Sequence, residues 1–272
     1  MPLPVENGPV ILFSHVSYKV EHSRELLHGV DLAVHRGETL VLLGRSGSGK
    51  TTTLKLINRL LNPTAGQVYI EGRPAGDWDV IELRRKIGYV IQEVGLFPHF
   101  NVERNIGLVP QIEGWPKARI QERVRKLMQL VGLDGSLAGR YPHELSGGQR
   151  QRVGVARALG ADPPILLMDE PFGALDPITR AELQREFAAL QRRLQKTVVF
   201  VTHDLREALL LATRIALLEQ GKLITVVTPR EFVKCQDPRV AAYVEALEGG
   251  ILGVLDRAEG PSPRLGSGEE AV

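Results

Sequence analysis

A single cysteine, Cys235, stands in a chain of 272 residues. An intrachain disulfide is therefore excluded, and no ladder of Cys and His at ligand spacing offers a structural zinc site. A reducing, cytosolic compartment fits that usage. Apolar runs of about 18 residues are missing too, so no membrane span is expected. The opening residues, Met1 to Gly8, have neither the basic flank nor the apolar stretch of a secretory leader. Neither sign of charge dominates: 34 Lys and Arg against 32 Asp and Glu leave a net +2. Long-range steering toward nucleic acid is not expected from that balance. The basic clusters Arg84-Arg85-Lys86 and Arg150 to Arg157 read as solvated faces.

What is present suits a soluble globular protein, with 43% hydrophobic and 24% charged residues. The length allows one large domain or two small ones around a sizeable core. Val10 to Tyr18 and Val30 to Val34 are β-rich, the second ending at the turn His35-Arg36-Gly37. Thr39 to Leu43 is a continuous apolar run, as for a buried parallel strand. A helix then carries Leu54, Ile57, Leu60 and Leu61 on one face and is expected to stop at Asn62-Pro63. Val68 to Glu71 and Ile87 to Ile91 read as strands. Lys117 to Val131 is amphipathic, with Ile120, Val124, Leu127 and Val131 on one side. Ser146 to Leu159 reads as a helix, Ile165 to Met168 as a short strand, and Leu183, Phe187, Leu190 and Leu194 as a helical stripe. Val198 to Val201 and Ile215 to Leu218 are buried-type strands. Alternating strands and helices predict an α/β sheet with helices on both faces. The stretch from Gly249 to Val272, rich in Gly, Pro, Ser and Glu, reads as a flexible tail.

Three motifs carry chemistry. GRSGSGKT, Gly44 to Thr51, matches G-x-x-x-x-G-K-[ST]. Gly44, Gly47 and Gly49 let the backbone wrap closely, so that its N–H groups and the start of the next helix bind phosphate oxygens. Lys50 adds a point charge at the β- and γ-phosphates, and Thr51 a hydroxyl for Mg²⁺. An ordinary Gly-rich turn is the alternative, but an apolar strand before and an amphipathic helix after argue against it. In ILLMDE, Ile165 to Glu170, an apolar strand ends in two carboxylates. Asp169 can hold Mg²⁺ through water, and Glu170 can orient or deprotonate an attacking water. LSGGQ, Leu145 to Gln149, starts a helix with a capping box between Ser146 and Gln149. Gly147 and Gly148 leave that start open to a second anion.

LSGGQRQRVGVARAL resembles the signature of ABC ATPases, and further positions agree in order. Tyr18 resembles the aromatic residue on which adenine stacks. Gln92, in GYVIQEVGLFPH, resembles the Q-loop glutamine, which also reaches the metal. Asp176, in GALDP, resembles the D-loop aspartate, His203 the switch histidine at the γ-phosphate, and Glu170 the catalytic glutamate. Each has a duller reading: a core aromatic, a surface amide, a strand-end histidine. Their order along the chain favours the functional one. The resemblance implies a P-loop core with a small antiparallel β subdomain and a helical insertion, at about 95–160, within a domain spanning 10–245. It implies MgATP held by Gly44, Arg45, Ser46, Gly47, Ser48, Gly49, Lys50, Thr51 and Thr52. Across a head-to-tail homodimer, Ser146, Gly147, Gly148 and Gln149 would meet the partner's ATP.

No long coiled coil and no second cassette are found, so a transporter subunit is favoured over a DNA- or ribosome-acting machine. A P-loop small-molecule kinase would leave LSGGQ unexplained. IGYVIQEVGLFPHFNVERNI, EPFGALDPITR and LKLINRLLNPTAG resemble the ATPases of quaternary-amine importers for glycine betaine, choline and carnitine. Amino-acid and other small-solute importers are the alternative. Transmembrane permease subunits and, through them, an external binding protein are the implied partners, with the chain docked on the cytoplasmic face of the membrane. Leu96, Phe97 and Phe100 are expected to line the permease groove or to pack the insertion. No regulatory CBS domains are expected in the short tail. Thr213 departs from the Asp common in that family, at a position expected to be structural.

Overall fold

The structure, a computed structural model, describes residues 8–20, 25–92 and 94–247. The expected tail, 249–272, lies outside the described residues. The chain divides into two units that meet between Pro229 and Arg230; the elements below belong to the first.

Two-residue periodicity sets the first sheet. Strand β1 (Ile11–Lys19) buries Ile11, Phe13 and Val16, and β2 (Glu25–Val34) buries Leu27, Val30, Leu32 and Val34. The two run antiparallel, Ile11 opposite Val34 and Tyr18 opposite Leu27. After β3 (Thr39–Leu43) and α1 (Lys50–Ile57) come β4 (Ala65–Ile70) and the short β5 (Arg73–Pro74), which complete an antiparallel sheet of order β2-β1-β4-β5.

The second sheet is mixed. The chain continues through α2 (Val80–Arg85), β6 (Ile87–Val90), α3 (Val102–Ile112), α4 (Lys117–Leu130) and α5 (Gly147–Ala158). Then come β7 (Ile165–Asp169), α6 (Pro177–Leu194), β8 (Thr197–Thr202), α7 (Leu205–Leu211), β9 (Arg214–Glu219) and β10 (Lys222–Val227). The order is β10-β9-β3-β8-β7-β6, parallel except for β10. Every residue of β3, β7 and β8 is buried, as their apolar centres require of strands covered on both faces, with polar Thr39, Asp169, Thr197 and Thr202 at their ends. One apolar cluster joins the sheets through α1: Phe13 and Leu32 from the first, Leu54 and Ile57 from the helix, Leu42 and Leu167 from the second. Thr213 is structural: its hydroxyl accepts from Thr39 N–H and donates to Thr39 C=O, both at 3.0 Å, pinning the start of β3.

Register places the chemistry. Leu43 pairs with Thr202, and Asp169 with Val201. The residues that follow β3, β7 and β8 therefore emerge on one edge of the sheet, at the carboxyl ends of parallel strands, where α/β folds bind ligands.

Two expectations change. Helix α1 stops at Ile57, not at Asn62-Pro63. Asn58 caps it, Arg59 turns to φ 53°, and Arg84 reaches over to bond the carbonyls of Asn58 and Arg59 at 3.2 and 2.9 Å. Leu60 is consequently 48% exposed, whereas Leu61 packs on the core. Helix α3 was not legible in the sequence because Gly107 and Pro110 lie within it. Gly107 is where α4 crosses: a Cβ there would sit 2.8 Å from Ile120 Cγ2.

Candidate functional site

The loop after β3 closes on itself. A Cβ on Gly44 would lie 2.3 Å from the Leu218 carbonyl oxygen, so only glycine fits that approach. Gly49, at φ 104°, is the N-cap of α1 and brings no side-chain cap. The first N–H groups of α1 are thus unclaimed by a capping side chain, as an anion site at a helix start needs. Ser48 Oγ is buried without a hydrogen-bond partner. Arg45, Ser46 and Gly47 are exposed, and Thr51 and Thr52 half-buried.

Lys50 is 4% exposed and bends back over its loop, donating to the carbonyls of Gly44 at 2.7 Å and Arg45 at 3.0 Å. Burial lowers its pKa, against the opposing pull of Glu170 and Asp169. Its Nζ lies 4.0 Å from Glu170 Oε1. Thr51 Oγ1 donates to Asp169 Oδ1 at 3.0 Å. Burial pushes the Asp169 carboxyl up, the Thr51 bond opposes it, and the Glu170 charge adds to the rise. Tyr89, on the neighbouring β6, also bonds Asp169 through its hydroxyl; burial first, then Asp169, raises the phenol's pKa. Nothing in the sequence singles out Tyr89 beyond a polar tip in an apolar strand.

Glu170 follows β7 at φ 42°. Its N–H donates to Val201 C=O at 3.0 Å and its own C=O accepts from Gly173 N–H at 3.1 Å, which holds the turn. His203, just beyond β8, brings Nδ1 to 3.1 Å from Glu170 Oε2 while remaining 61% exposed. Lys50, Thr51, Asp169, Glu170 and His203 are therefore brought together at the ends of three adjacent strands.

Tyr18 reaches this cluster at one remove. It stands opposite Leu27, whose side chain a Cβ on Gly49 would touch at 2.6 Å. Tyr18 is half-buried, packed against the core cluster at the flank of the loop. Gln92 lies two residues beyond β6, exposed, on the sheet edge next to β7.

LSGGQ is built elsewhere. Ser146 Oγ accepts from Gln149 N–H at 3.2 Å and Gln149 Oε1 from Ser146 N–H at 2.9 Å, a complete capping box. Cβ atoms on Gly147 and Gly148 would meet Leu175 at 3.4 Å and Thr179 at 2.8 Å. Asp176, between those two residues, is the N-cap of α6 and accepts from Ile178 and Thr179 N–H; these bonds hold its carboxyl below the usual range. Helix α5 packs on α3, α4, α6 and β6, whereas α1 packs on β4, β7 and β8. Between β3 and β6 lie three strand spacings, about 14 Å. The LSGGQ helix start thus accompanies Asp176, not the Gly-rich loop of the same chain.

Arg157, a cation that sequence reading placed on a solvated face, is instead half-buried and burial lowers its pKa. It donates to Gly95 C=O at 2.6 Å and Val94 C=O at 2.7 Å, latching α5 to the segment after Gln92.

Such a site, with a P-loop, two strand-end carboxylates, a histidine beside one of them and an LSGGQ helix start apart from it, defines a P-loop nucleotide-binding protein of the cassette type. A family model described as "ABC transporter" matches residues 27–173. Over 225 residues, 83% of this chain, it is 51% identical to the choline transport ATP-binding protein OpuBA of Bacillus subtilis and covers 59% of that protein. It is 52% identical over 215 residues, 79% of this chain, to the glycine betaine uptake system ATP-binding protein YehX of Escherichia coli and covers 70% of it. The dimeric cassette MJ0796 bound to ADP and Pi superposes with a TM-score of 0.72 at 34% identity, over 81% of this chain and 99% of that one. The chain belongs to the ABC transporter family, as its motifs led us to expect.

Proposed function

We propose that this chain is the ATP-binding and ATP-hydrolysing subunit of an importer for quaternary-amine osmoprotectants such as glycine betaine and choline. The convergence of Lys50, Thr51, Asp169, Glu170 and His203 at one sheet edge carries the ATPase part. The substrate class rests on the relatives named for choline and glycine betaine transport. The ATPase domain is taken to span 10–245, with the helical insertion at about 95–160.

The residues fit MgATP. Thr51 and Asp169, bonded to each other, and Gln92 would supply an oxygen-only donor set, which suits a hard divalent ion. Bound there, Mg²⁺ would neutralise charge on the β- and γ-phosphates. Residues Gly44 to Thr52 would take the phosphates: backbone N–H groups surround them, the orphaned Ser48 hydroxyl finds an acceptor, and Lys50 exchanges its carbonyl partners for phosphate oxygens. Tyr18 would stack the base. Glu170 holds the attacking water and accepts its proton. His203, 3.1 Å from Glu170, would fix that carboxylate and stand at the γ-phosphate.

In a head-to-tail homodimer, Ser146, Gly147, Gly148 and Gln149 of a second copy complete the site, with Asp176 beside them. The separation of LSGGQ from the loop within one chain supports that arrangement. Among the described residues no helix is long and apolar enough to cross a membrane. Docking on the cytoplasmic face of permease subunits, which receive cargo from an external binding protein, supplies the membrane link. Phe97, 47% exposed, borders a groove of about 310 Å³ lined by Leu108 and Val109 and by Arg84, Arg85 and Arg157, which we assign to a permease helix.

Uptake of labelled glycine betaine and choline tests the reading, with and without salt stress, in cells lacking the subunit and in cells carrying Lys50→Ala. Loss of uptake in both supports it. Unchanged uptake transfers the cargo to another solute class, with amino acids the next to try.

A further inference from the structure

Helix α7 begins directly after His203, and its third residue is turned the wrong way for a helix start. Asp204 is the N-cap. A Glu at the third helical position usually reaches back to the N-cap N–H. Here Thr202 Oγ1 accepts the Asp204 N–H instead, at 3.0 Å. Glu207 points inward and is 5% exposed. Its Oε2 accepts the Thr202 hydroxyl at 2.5 Å and its Oε1 the Gln184 amide at 2.7 Å. Burial raises its carboxyl pKa, the Thr202 and Gln184 bonds oppose that, Asp204 adds to the rise and Arg180 opposes it. A buried carboxylate held by neutral donors is costly to keep, so what it holds matters.

It holds the residues on both sides of His203. Thr202, 2% exposed, is the pivot: it donates to Glu207 and accepts from Asp204, so the peptides before and after the histidine are both fixed. Through Gln184 the same carboxylate is tied to α6, eight residues along from its N-cap Asp176 and so about 12 Å away. Helix α6 is also the helix against which Gly148 packs, through Thr179. One side chain thus joins the histidine beside Glu170 to the helix that begins beside LSGGQ.

We propose that Glu207 is a positioning residue for ATP hydrolysis: through Thr202 it fixes His203 against Glu170 and ties that contact to α6. The proposal rests on the ATPase reading above. It is tested on the full chain with Glu207→Ala, Glu207→Gln and Thr202→Val. Three quantities are read: steady-state ATP turnover, binding of a fluorescent ATP analogue, and the His203 imidazole nitrogen shifts in ¹⁵N-histidine-labelled protein. In Glu207→Ala and Thr202→Val, kcat drops at least tenfold, nucleotide affinity stays within twofold, and the His203 resonances move. In Glu207→Gln, which keeps an acceptor for the Thr202 hydroxyl, kcat returns to within threefold of wild type. Should Glu207→Ala not fold, Thr202→Val decides alone. A kcat within twofold of wild type, a parallel loss of affinity and kcat, or unmoved His203 resonances each overturn the proposal. If wild type itself turns over no ATP, the ATPase reading fails, and the His203 resonances still decide whether Glu207 positions the histidine.

Discussion

At φ 42°, Glu170 stands in the left-handed region, which for a residue other than glycine costs on the order of 1–3 kcal/mol. The bonds to Val201 and Gly173 keep it there and aim its carboxylate at both Lys50 and His203. A group held so deliberately is suited to one task. Glu170→Gln keeps the shape and removes the base, so ATP binding should stay near wild type while turnover falls at least about a hundredfold. Filter binding and phosphate release measure the two separately. Glu207 gives a residue-scale test by pH. Its folded carboxyl holds its proton more tightly than the unfolded one, whose value is about 4.5. The unfolded state therefore binds fewer protons as pH rises above that value, and stability falls through the raised folded value. Thermal melts should show a shallower decline over that window in Glu207→Gln than in wild type.

Element α5 does two things at once. Its N-cap is the Ser146–Gln149 box, and its far end carries Arg157, whose guanidinium closes on the carbonyls of Val94 and Gly95. Gly154 allows the close approach, since a Cβ there would meet Val94 Cγ1 at 2.6 Å. The segment after Gln92 is thus tied to the helix that presents LSGGQ. Arg157→Ala leaves two carbonyls without their charged donor, at about 1–3 kcal/mol. Hydrogen exchange over 94–100 should accelerate markedly, with exchange in β3 and β7 unchanged. Equal acceleration everywhere would show that Arg157 serves global stability rather than this latch. Helix α3 belongs to the same assembly. Its buried Asn105 bonds the backbone of Phe97 and the carbonyls of Phe100 and Asn101, which sets the loop that exposes Phe97.

For the whole molecule the governing fact is distance. The Gly-rich loop and LSGGQ are served by different helices on different parts of the sheet. If both act on one triphosphate, as proposed, that separation calls for two copies. In sedimentation experiments Glu170→Gln should be monomeric without nucleotide and dimeric with ATP. Ser146→Arg should abolish turnover and ATP-dependent dimerisation while leaving nucleotide binding to the single chain largely intact. Loss of binding in that variant would place Ser146 within its own chain's site.

Motifs that depend on local backbone chemistry were legible in the sequence. The Gly-rich loop between an apolar strand and a helix, the two carboxylates ending ILLMDE, and the S-x-x-Q box of LSGGQ each follow from conformations that a few neighbouring residues impose. The buried strands were legible too, because the middle of a strand covered on both faces must be apolar. What the sequence could not give came from partners far along the chain. Arg84 helps end α1 little more than one turn earlier than Asn62-Pro63 would. Packing against Ile120 makes Gly107 suit a helix that its own propensity opposes. The Tyr89–Asp169 bond, the Arg157 latch and the tie from Glu207 to Thr202 and Gln184 join side chains whose spacing carries no periodic signal. A hydrophobic pattern specifies which face is buried; it does not specify which polar group meets which, because that depends on how separate elements come to lie side by side.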